Sequence, residues 1–236
     1  MPLQTVTPQR LYRQIAEQLR ALITSGEFQA GARMPAERDI AKELGVSRPS
    51  VREALIALEV EGWVEIRTGS GIYVLDRPAP GNNVPAPTTE WGPLELIRAR
   101  RVVEGEIASM VATQAKRRDF AAMDLAIQSM QNDADRGVVP LEGDRAFHSA
   151  IVHACGNTVL IETVQSFWDS RCSPLFVRLR DYFETPKSWQ SAIAEHHAIL
   201  EAMRARDAGA ARSAMHAHMD KSHARFSASW RRAKTT

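Results

Sequence analysis

The stretch GARMPAERDIAKELGVSRPSVREALIALEVEGWVEIRTGSGIYVL, residues 31–75, decides the fold of the N-terminal third of this chain. An apolar stripe that ends at Leu44 predicts a first helix, and Gly45 can take the left-handed conformation that ends a helix. Ser47 is a natural N-cap for a second helix, which has one apolar face and reaches Gly62. Two helices joined by so short a turn predict a helix-turn-helix.

A β-hairpin is predicted directly after the second helix. Residues 63–66 alternate as a strand does, residues 68–71 form a turn, and residues 72–74 return as a second strand. With a helix upstream to complete the core, residues 1–76 are predicted to form a winged helix-turn-helix domain. The apolar residues that predict the upstream helix are Leu11, Ile15, Leu19, Leu22 and Ile23.

A winged helix-turn-helix places one helix in a groove of DNA, so this domain predicts sequence-specific binding to double-stranded DNA. The domain is not basic overall, because residues 1–76 contain nine Arg and Lys against ten Asp and Glu. A positive footprint must therefore come from clustered arginines, and we expect that two copies of the domain are needed. The arginines that would form this footprint are Arg33, Arg38, Arg48, Arg52 and Arg67.

The motifs MPAER, residues 34–38, and GVSRPSVREALIALEVEG, residues 45–62, resemble those of the GntR family of bacterial repressors. Arginine is the preferred bidentate reader of guanine, and positions 48 and 52 are one helical turn apart, which predicts a shared exposed face. Pro49 departs from the pattern, since many relatives have Thr there. The resemblance implies DNA-reading roles for Arg38, Arg48 and Arg52, phosphate contacts for Ser47 and Ser50, and a wing tip at Gly69.

The whole chain has 236 residues, of which 44% are hydrophobic and 25% are charged, and a net charge of +2. This suits one larger or two smaller globular domains and does not decide for or against a polyanionic partner. Residues 77–90 contain four prolines and no apolar periodicity, so they predict a linker. The second domain is then expected at residues 91–236.

The cellular setting is predicted to be the cytoplasm, with no membrane partner. The N-terminus lacks the apolar segment of a secretory signal, and the chain has no run of about 18 apolar residues. Cys155 and Cys172 do not have a metal-binding spacing. We interpret them as reduced thiols in the core, with redox sensing as the alternative.

The second domain is predicted to be an all-α bundle of about six helices, because the apolar period is helical almost throughout. One long helix is expected to run from Gly156-Asn157 to about Phe183, with a kink at Pro174. The other predicted helices cover about 94–116, a segment capped by Asp119, and about 142–154, 186–206 and 208–231.

Four polar residues on three of these helices are predicted to point inward. Asp144 and His148 are one turn apart on a helix whose neighbouring residues are apolar, and His196 and His218 lie beside apolar residues on the last two helices. One carboxylate and three imidazoles can hold a divalent metal such as Zn, Ni, Mn or Fe, and zinc is favoured. Structural roles for these residues are the alternative. The histidines that compete for assignment are His153, His197, His216 and His223.

The segments DRAFHSAIVHACGN, EHHAILEAM and AMHAHM resemble the FCD ligand-binding domain of the FadR branch of GntR regulators. The resemblance covers residues 94–226 and implies that Asp144, His148, His196 and His218 are the metal ligands. The FadR branch also has members without metal, which lack these histidines. We therefore expect metal here.

An acidic effector would need cationic partners beside the metal. The resemblance places Arg100 in the effector pocket, and we add Arg171 and Arg225 as candidates, the latter because it shares a helix face with His218. Each of the three could instead be an ordinary solvated or salt-bridged arginine. Aldonates, hexuronates, lactate-like hydroxy acids and dicarboxylates all fit. The run EALIALEVEGWVEIRTGSGIYVLD, residues 53–76, resembles regulators of hexuronate and related sugar-acid catabolism, which favours a sugar acid.

The leading hypothesis is a homodimeric transcriptional repressor that reads a palindromic operator and responds to a small organic acid. One alternative is a metal-dependent hydrolase or lyase that uses the Asp and His residues, since a metal in a polar pocket is compatible with Lewis-acid chemistry. Against it, no further carboxylate or His stands at a motif spacing for a general base. A third possibility is a DNA-binding protein with a purely structural metal and no effector.

Overall fold

The computed structural model describes residues 10–76 and 91–228. The predicted linker at 77–90, and the predicted end of the last helix near Arg231, lie outside the described residues. Within those residues the chain forms ten helices and two strands. In order they are α1 (Leu11–Thr24), α2 (Glu37–Leu44), α3 (Arg48–Val60), β1 (Val64–Arg67), β2 (Gly71–Val74), α4 (Pro93–Gln114), α5 (Arg117–Asp135), α6 (Leu141–Ala154), α7 (Thr158–Ser170), α8 (Pro174–Phe183), α9 (Pro186–Arg204) and α10 (Ala208–Phe226).

The N-terminal unit contains the predicted winged helix-turn-helix, formed by α1–α3 and the β1–β2 hairpin. Gly45 has a φ of 64° and ends α2. The Ser47 hydroxyl accepts a hydrogen bond from the Ser50 N–H at 3.3 Å and so caps α3. The strands pair antiparallel, with Val64 opposite Val74. The predicted fold class, mainly α with a small hairpin wing and an all-α C-terminal part, is confirmed.

Helix α1 packs against α3, but its inner face differs from the predicted one. Leu11 and Leu22 are 49% and 39% exposed, so their predicted place in the core is wrong. The buried stripe starts one residue later, at Tyr12, which is only 3% exposed. The buried residues of α1 are Tyr12, Arg13, Ile15, Ala16 and Leu19.

The predicted long helix after Asn157 is two helices. Helix α7 ends at Ser170, and Pro174 begins α8 rather than kinking a continuous helix, because proline has no N–H to continue the hydrogen-bond ladder. By its contacts, Ser173–Tyr182 belongs to the N-terminal unit, together with the described residues up to Pro93 and with Ala228. The predicted second domain, residues 91–236, therefore differs from the observed unit because it includes α8, which belongs to the N-terminal unit by its contacts.

The second unit comprises Leu94–Cys172 and Phe183–Ser227, and it packs α5 against α6 and α9, and α9 against α10. Its core is apolar, with Phe147 and Met130 completely buried. Gly143 lets α6 approach α5 closely, since a Cβ there would lie only 2.9 Å from the backbone nitrogen of Met130. This close approach sets the position of the next residue, Asp144.

The two cysteines are free thiols. Cys155 is half-buried and Cys172 is exposed, so the expectation of two core thiols is wrong. Both follow the ends of helices, where the chain turns at the surface. None of the helices in the described part of the chain is long and apolar enough to span a bilayer.

Candidate functional site

A groove of about 500 Å³ lies in the N-terminal unit between the wing and the beginnings of α2 and α3. Four of the five footprint arginines line it. Guanidinium groups on both walls suit a phosphate backbone or a guanine edge. The lining arginines are Arg33, Arg38, Arg48 and Arg67.

Three of the six predicted DNA contacts, Arg38, Arg48 and Gly69, line this groove, and the two serines lie at the start of α3. The side chains of Arg38 and Arg48 are 78% and 50% exposed, so both can reach a ligand. Ser47 and Ser50 lie at the first turn of α3 with their hydroxyl oxygens 2.8 Å apart. Gly69 has a φ of 79° in the turn between β1 and β2, where a left-handed residue is required.

Arg52 is the exception, because it is only 1% exposed. Its guanidinium donates to Glu37 twice, from Nε at 2.9 Å and from Nη2 at 2.8 Å. Burial lowers the pKa of Arg52, although the carboxylate of Glu37 opposes this effect. The expectation of an exposed face shared with Arg48 is wrong, because α2 packs on α3 and covers position 52.

Glu37 is a functional candidate that the sequence analysis missed. Besides Arg52, its carboxylate accepts a hydrogen bond from Nε of Arg48 at 3.1 Å. It therefore joins a buried arginine to an exposed one at the start of α3. The only signal in the sequence was its place in the MPAER motif, next to Arg38.

In the second unit, the four predicted metal ligands Asp144, His148, His196 and His218 come together. All four are buried, and one ligand atom of each lies within 4.8 Å of the others. Nε2 of His196 is 3.2 Å from Oδ1 of Asp144 and 3.3 Å from Nε2 of His148. We call these four residues the imidazole–carboxylate cluster.

The competing histidines lie elsewhere. His153 and His197 are exposed, and His216 and His223 are half-buried outside the cluster. The helical rotation between adjacent residues predicted that only one of His196 and His197 would face inward, and His196 is the one that does.

Two buried glutamates orient the imidazoles from behind. Nδ1 of His148 lies 2.5 Å from Oε2 of Glu104, and Nδ1 of His218 lies 2.8 Å from Oε2 of Glu195. Each Nδ1–H donates to a carboxylate, which leaves the Nε2 lone pairs directed at the cluster. Nδ1 of His196 has no hydrogen-bond partner among the described residues. Neither glutamate was predicted to have a role at the site.

The electrostatic surroundings favour the protonation states that metal ligands need. Burial opposes ionisation of Glu104, but Arg100 and His148 outweigh it and lower the pKa of Glu104 to about 2. Burial also opposes ionisation of Asp144, but Arg171 and the imidazoles outweigh it and hold the pKa of Asp144 well below its usual value. Burial lowers the pKa of His148, and burial with the neighbouring imidazoles lowers that of His218 strongly. Ionised carboxylates and neutral imidazoles are the binding forms.

The donor set of the cluster fits a divalent cation. Metal–nitrogen bonds of about 2.0–2.1 Å place the ligand atoms of a tetrahedral site roughly 3.4 Å apart. The 3.2 and 3.3 Å separations around His196 match this spacing. Lone pairs held so close together repel one another unless positive charge lies among them.

The three predicted effector arginines line one cavity with two members of the cluster, Asp144 and His218. Nη1 of Arg171 donates to Asp144 at 2.9 Å. Arg225 lies 3.5 Å from Glu195. The third, Arg100, is held by Glu104 at 2.6 Å. We call this cavity the arginine pocket; the rest of its lining is Glu184, Ser188, Trp189, Ala192 and Ser222.

Trp168 supports two of these arginines and was not predicted to do so. The guanidinium carbons of Arg100 and Arg171 lie 4.5 and 4.3 Å from its ring centre. Cation–π contacts of this kind fix the planes of both guanidinium groups. A single Trp inside an apolar helix face gives no signal of this role in the sequence.

Comparison with known proteins gives two matches that together cover most of the chain. Residues 11–74 match the family described as bacterial regulatory proteins, gntR family, and residues 95–221 match the FCD domain. The chain belongs to the GntR family of bacterial regulators. Its FCD domain places it in the FadR branch. The cluster, Arg100 and Arg171 lie within the FCD match, and Arg225 lies beyond its end.

Relatives of this GntR-family regulator match over nearly their full length. It is 36% identical over 219 residues to the Uxu operon transcriptional regulator of Escherichia coli K12, covering 90% of this chain and 85% of that protein. It is 37% identical over 221 residues to the Exu regulon transcriptional regulator of the same strain, covering 90% and 83%. A solved structure described as E. coli McbR/YncC shares the fold, with a TM-score of 0.51 and 21% identity over 92% of this chain and 97% of that one.

Membership in this family decides between regulator and enzyme. The chain is a transcriptional regulator, and the alternative of a hydrolase or lyase is wrong. The buried imidazole–carboxylate cluster therefore lies in the FCD domain of a regulator.

Proposed function

We propose that this regulator is a homodimeric repressor that acts in the cytoplasm. It binds a palindromic operator through the arginine-lined groove and the first turn of α3, and it releases the operator when a sugar acid occupies the arginine pocket. The observation that carries this proposal is the convergence of three arginines with Asp144 and His218 on one cavity. Similarity to the Uxu and Exu regulators favours a sugar acid over other carboxylates.

Zinc is the proposed resident ion of the imidazole–carboxylate cluster. Bound there, a divalent ion would supply positive charge and Lewis acidity at one end of a carboxylate ligand. The chain supplies the other contacts, since Arg171 and Arg225 carry planar forks that match carboxylate geometry. Glu104 and Trp168 hold the guanidinium group of Arg100, so Arg100 adds a positive charge in a fixed orientation.

The arginine pocket must rearrange when it takes up a ligand. Its cavity is only about 20 Å³, which is room for roughly one water molecule. The ion pair between Arg171 and Asp144 occupies part of the site. A ligand carboxylate replaces this pair and changes the position of Arg171. A conformational response is thus built into binding.

Helix α8 is the proposed route from the pocket to the recognition helix. The residues on either side of it, Arg171 and Glu184, line the arginine pocket, whereas α8 itself belongs to the N-terminal unit. There Nε of Arg178 donates to Glu59 at 2.8 Å, and the Tyr182 hydroxyl donates to Glu59 at 2.7 Å. Glu59 lies in the last turn of α3. Movement of the residues on either side of α8 is therefore expected to act on the C-terminal end of α3, the helix that we propose enters the DNA groove.

The proposal is tested by combining thermal unfolding with operator binding. Zinc-loaded protein is expected to unfold at a higher temperature when a sugar acid is added, because a ligand of the native state stabilises it by about 2.7 kcal/mol at a hundred times its Kd. The same concentration should release a labelled operator. Sodium acetate at equal ionic strength is the control. If zinc raises Tm but no sugar acid does, the metal is structural and the proposal fails.

The role of α8 predicts the behaviour of Tyr182→Phe. Loss of one hydrogen bond to a carboxylate weakens the hold on Glu59 by about 1.5–3 kcal/mol. We expect operator affinity to be kept, whereas the concentration of sugar acid that releases half of the operator changes at least about fivefold. Asp181→Asn, an exposed neighbour on the same helix, is the matched control. An unchanged release curve for Tyr182→Phe would remove α8 from the route.

A further inference from the structure

The hairpin wing is extended by a third segment, which carries Arg33. Residues 31–34 pair antiparallel with β2, and an isolated bridge places Arg33 opposite Tyr73. Along β2, Ile72 and Val74 are buried and Tyr73 is only half-buried, so Tyr73 lies on the outer face of the hairpin. Residues directly opposite one another in an antiparallel pair share a face, so Arg33 lies on the outer face as well.

The side chain of Arg33 crosses the hairpin at Gly71. A Cβ on residue 71 would lie 2.5 Å from Nε of Arg33 and 3.2 Å from its Nη2. Any side chain at position 71 would therefore take the place of the guanidinium group. The glycine lets this group lie against the hairpin backbone, at the groove that both residues line. Arg33 is exposed there, so its charge can reach a ligand.

Arg33 differs from the other three arginines of the groove, because it has no ion pair among the residues that the structure describes. Each of the other three has a carboxylate within hydrogen-bond distance. A guanidinium group without a carboxylate keeps its full charge and its donors for a phosphate. The pairs of the other three are Arg38–Asp39, Arg48–Glu37 and Arg67–Glu65, at 3.1, 3.1 and 2.7 Å.

Arg67 is the opposite case on the same face. Its Nε and Nη2 donate to Oε2 of Glu65 at 3.0 and 2.7 Å, and its guanidinium carbon lies 4.5 Å from the ring centre of Tyr73. An exposed ion pair of this kind is weak, so a phosphate can compete for Arg67. Glu65 would then remain beside the DNA backbone as an uncompensated negative charge, within the Debye length of about 10 Å. The pair therefore adds little net attraction for a phosphate, wherever Arg67 points.

We propose that Arg33, and not Arg67, is the residue through which the wing holds the phosphate backbone of DNA, and that Glu65 cancels the contribution of Arg67. Arg33 adds affinity for any sequence, because a phosphate contact carries no base information. Selectivity is left to base contacts such as the one proposed for Arg48. The inference rests on the proposed function, since it assigns roles within the groove through which the dimer binds its operator.

The test is the salt dependence of binding to two labelled duplexes, the operator and a mixed sequence without a palindrome. The logarithm of the affinity falls with the logarithm of the salt concentration by about 0.9 for each phosphate contact. For the full chain without an effector, between about 50 and 200 mM KCl, Arg33→Gln should make this slope shallower by about 1.8 on both duplexes, since a dimer loses the contact twice. Arg67→Gln is the matched control on the same face, and it should change the slope by less than about 0.5.

Glu65→Gln should have the opposite effect. It keeps the shape of the side chain and removes the charge that cancels Arg67, so the slope should become steeper by about 1.8 and both duplexes should bind more tightly at low salt. A merely structural role for Glu65 would not give this gain. The double variant Glu65→Gln/Arg67→Gln should return to the wild-type slope, because the gain acts through Arg67. Circular dichroism checks that each variant is folded.

The outcomes separate this inference from the proposed function. The inference is overturned by an unchanged slope in folded Arg33→Gln, by an unchanged slope in folded Glu65→Gln, or by a loss in Arg67→Gln as large as that in Arg33→Gln. Arg48→Ala reports on the groove itself. If Arg48→Ala loses operator binding while Arg33→Gln keeps the wild-type slope, the inference alone fails. If neither variant changes binding to either duplex, the groove is not the DNA interface and both fail.

Discussion

Arg48→Ala is expected to abolish sequence-selective binding of the operator while the protein stays folded and keeps its metal. One bidentate contact between arginine and guanine is worth about 1–3 kcal/mol, and a symmetric dimer loses it twice. The affinity for a palindromic operator should therefore fall by between about 30-fold and 25,000-fold. The fold should survive because the side chain of Arg48 is half exposed and Glu37 keeps its two hydrogen bonds from Arg52.

The measurement is fluorescence anisotropy at one fixed salt concentration, with operator and scrambled duplexes compared. The expected loss is confined to the operator, since phosphate contacts bind any sequence. Arg20→Ala removes the same charge from α1, away from the groove, and serves as the control. An equal loss on both duplexes would make Arg48 a phosphate contact, and an unchanged operator affinity would remove it from the interface.

The fold could be predicted from the sequence where local signals agree. Gly45 and Ser47 mark the helix-turn-helix because a left-handed glycine and an N-cap serine act within a few residues. The split at Pro174 was missed because a proline can either kink a continuous helix or begin a new one. The placement of α8 with the N-terminal unit depends on Glu59, more than a hundred residues away along the chain. Periodicity carries no information on such a contact.

The candidate sites, like the fold, could be predicted only in part from the sequence. The four members of the imidazole–carboxylate cluster could be predicted because they lie beside apolar residues on their helices and because the resemblance to the FCD domain implies the same four ligands. Arg52 was placed on the wrong face because its distance from Arg48 fixes a relative direction but not which face α2 covers. Glu104 and Glu195 were missed because a glutamate that orients an imidazole looks like any other glutamate on a helix.

His196→Ala is expected to eliminate high-affinity metal binding, with a loss of at least about a hundredfold, since even residues that only orient metal ligands cost 10–100-fold. His196 is the sharpest position to change, because its Nδ1 has no hydrogen-bond partner among the described residues. Substitution of His148 or His218 would also leave Glu104 or Glu195 without its imidazole. The effect of His196→Ala is therefore closest to the loss of one ligand.

His197→Ala gives the matched control, since the adjacent imidazole is exposed and lies outside the cluster. Wild type and His197→Ala should copurify with stoichiometric metal by elemental analysis and lose thermal stability on treatment with a chelator. His196→Ala should contain little metal, and a chelator should not change its Tm. Its operator binding should persist without release by a sugar acid, because the groove and its arginines lie in the other unit. If His196→Ala still released the operator at the wild-type concentration of acid, the effector would bind without the metal, and the arginines alone would account for its recognition.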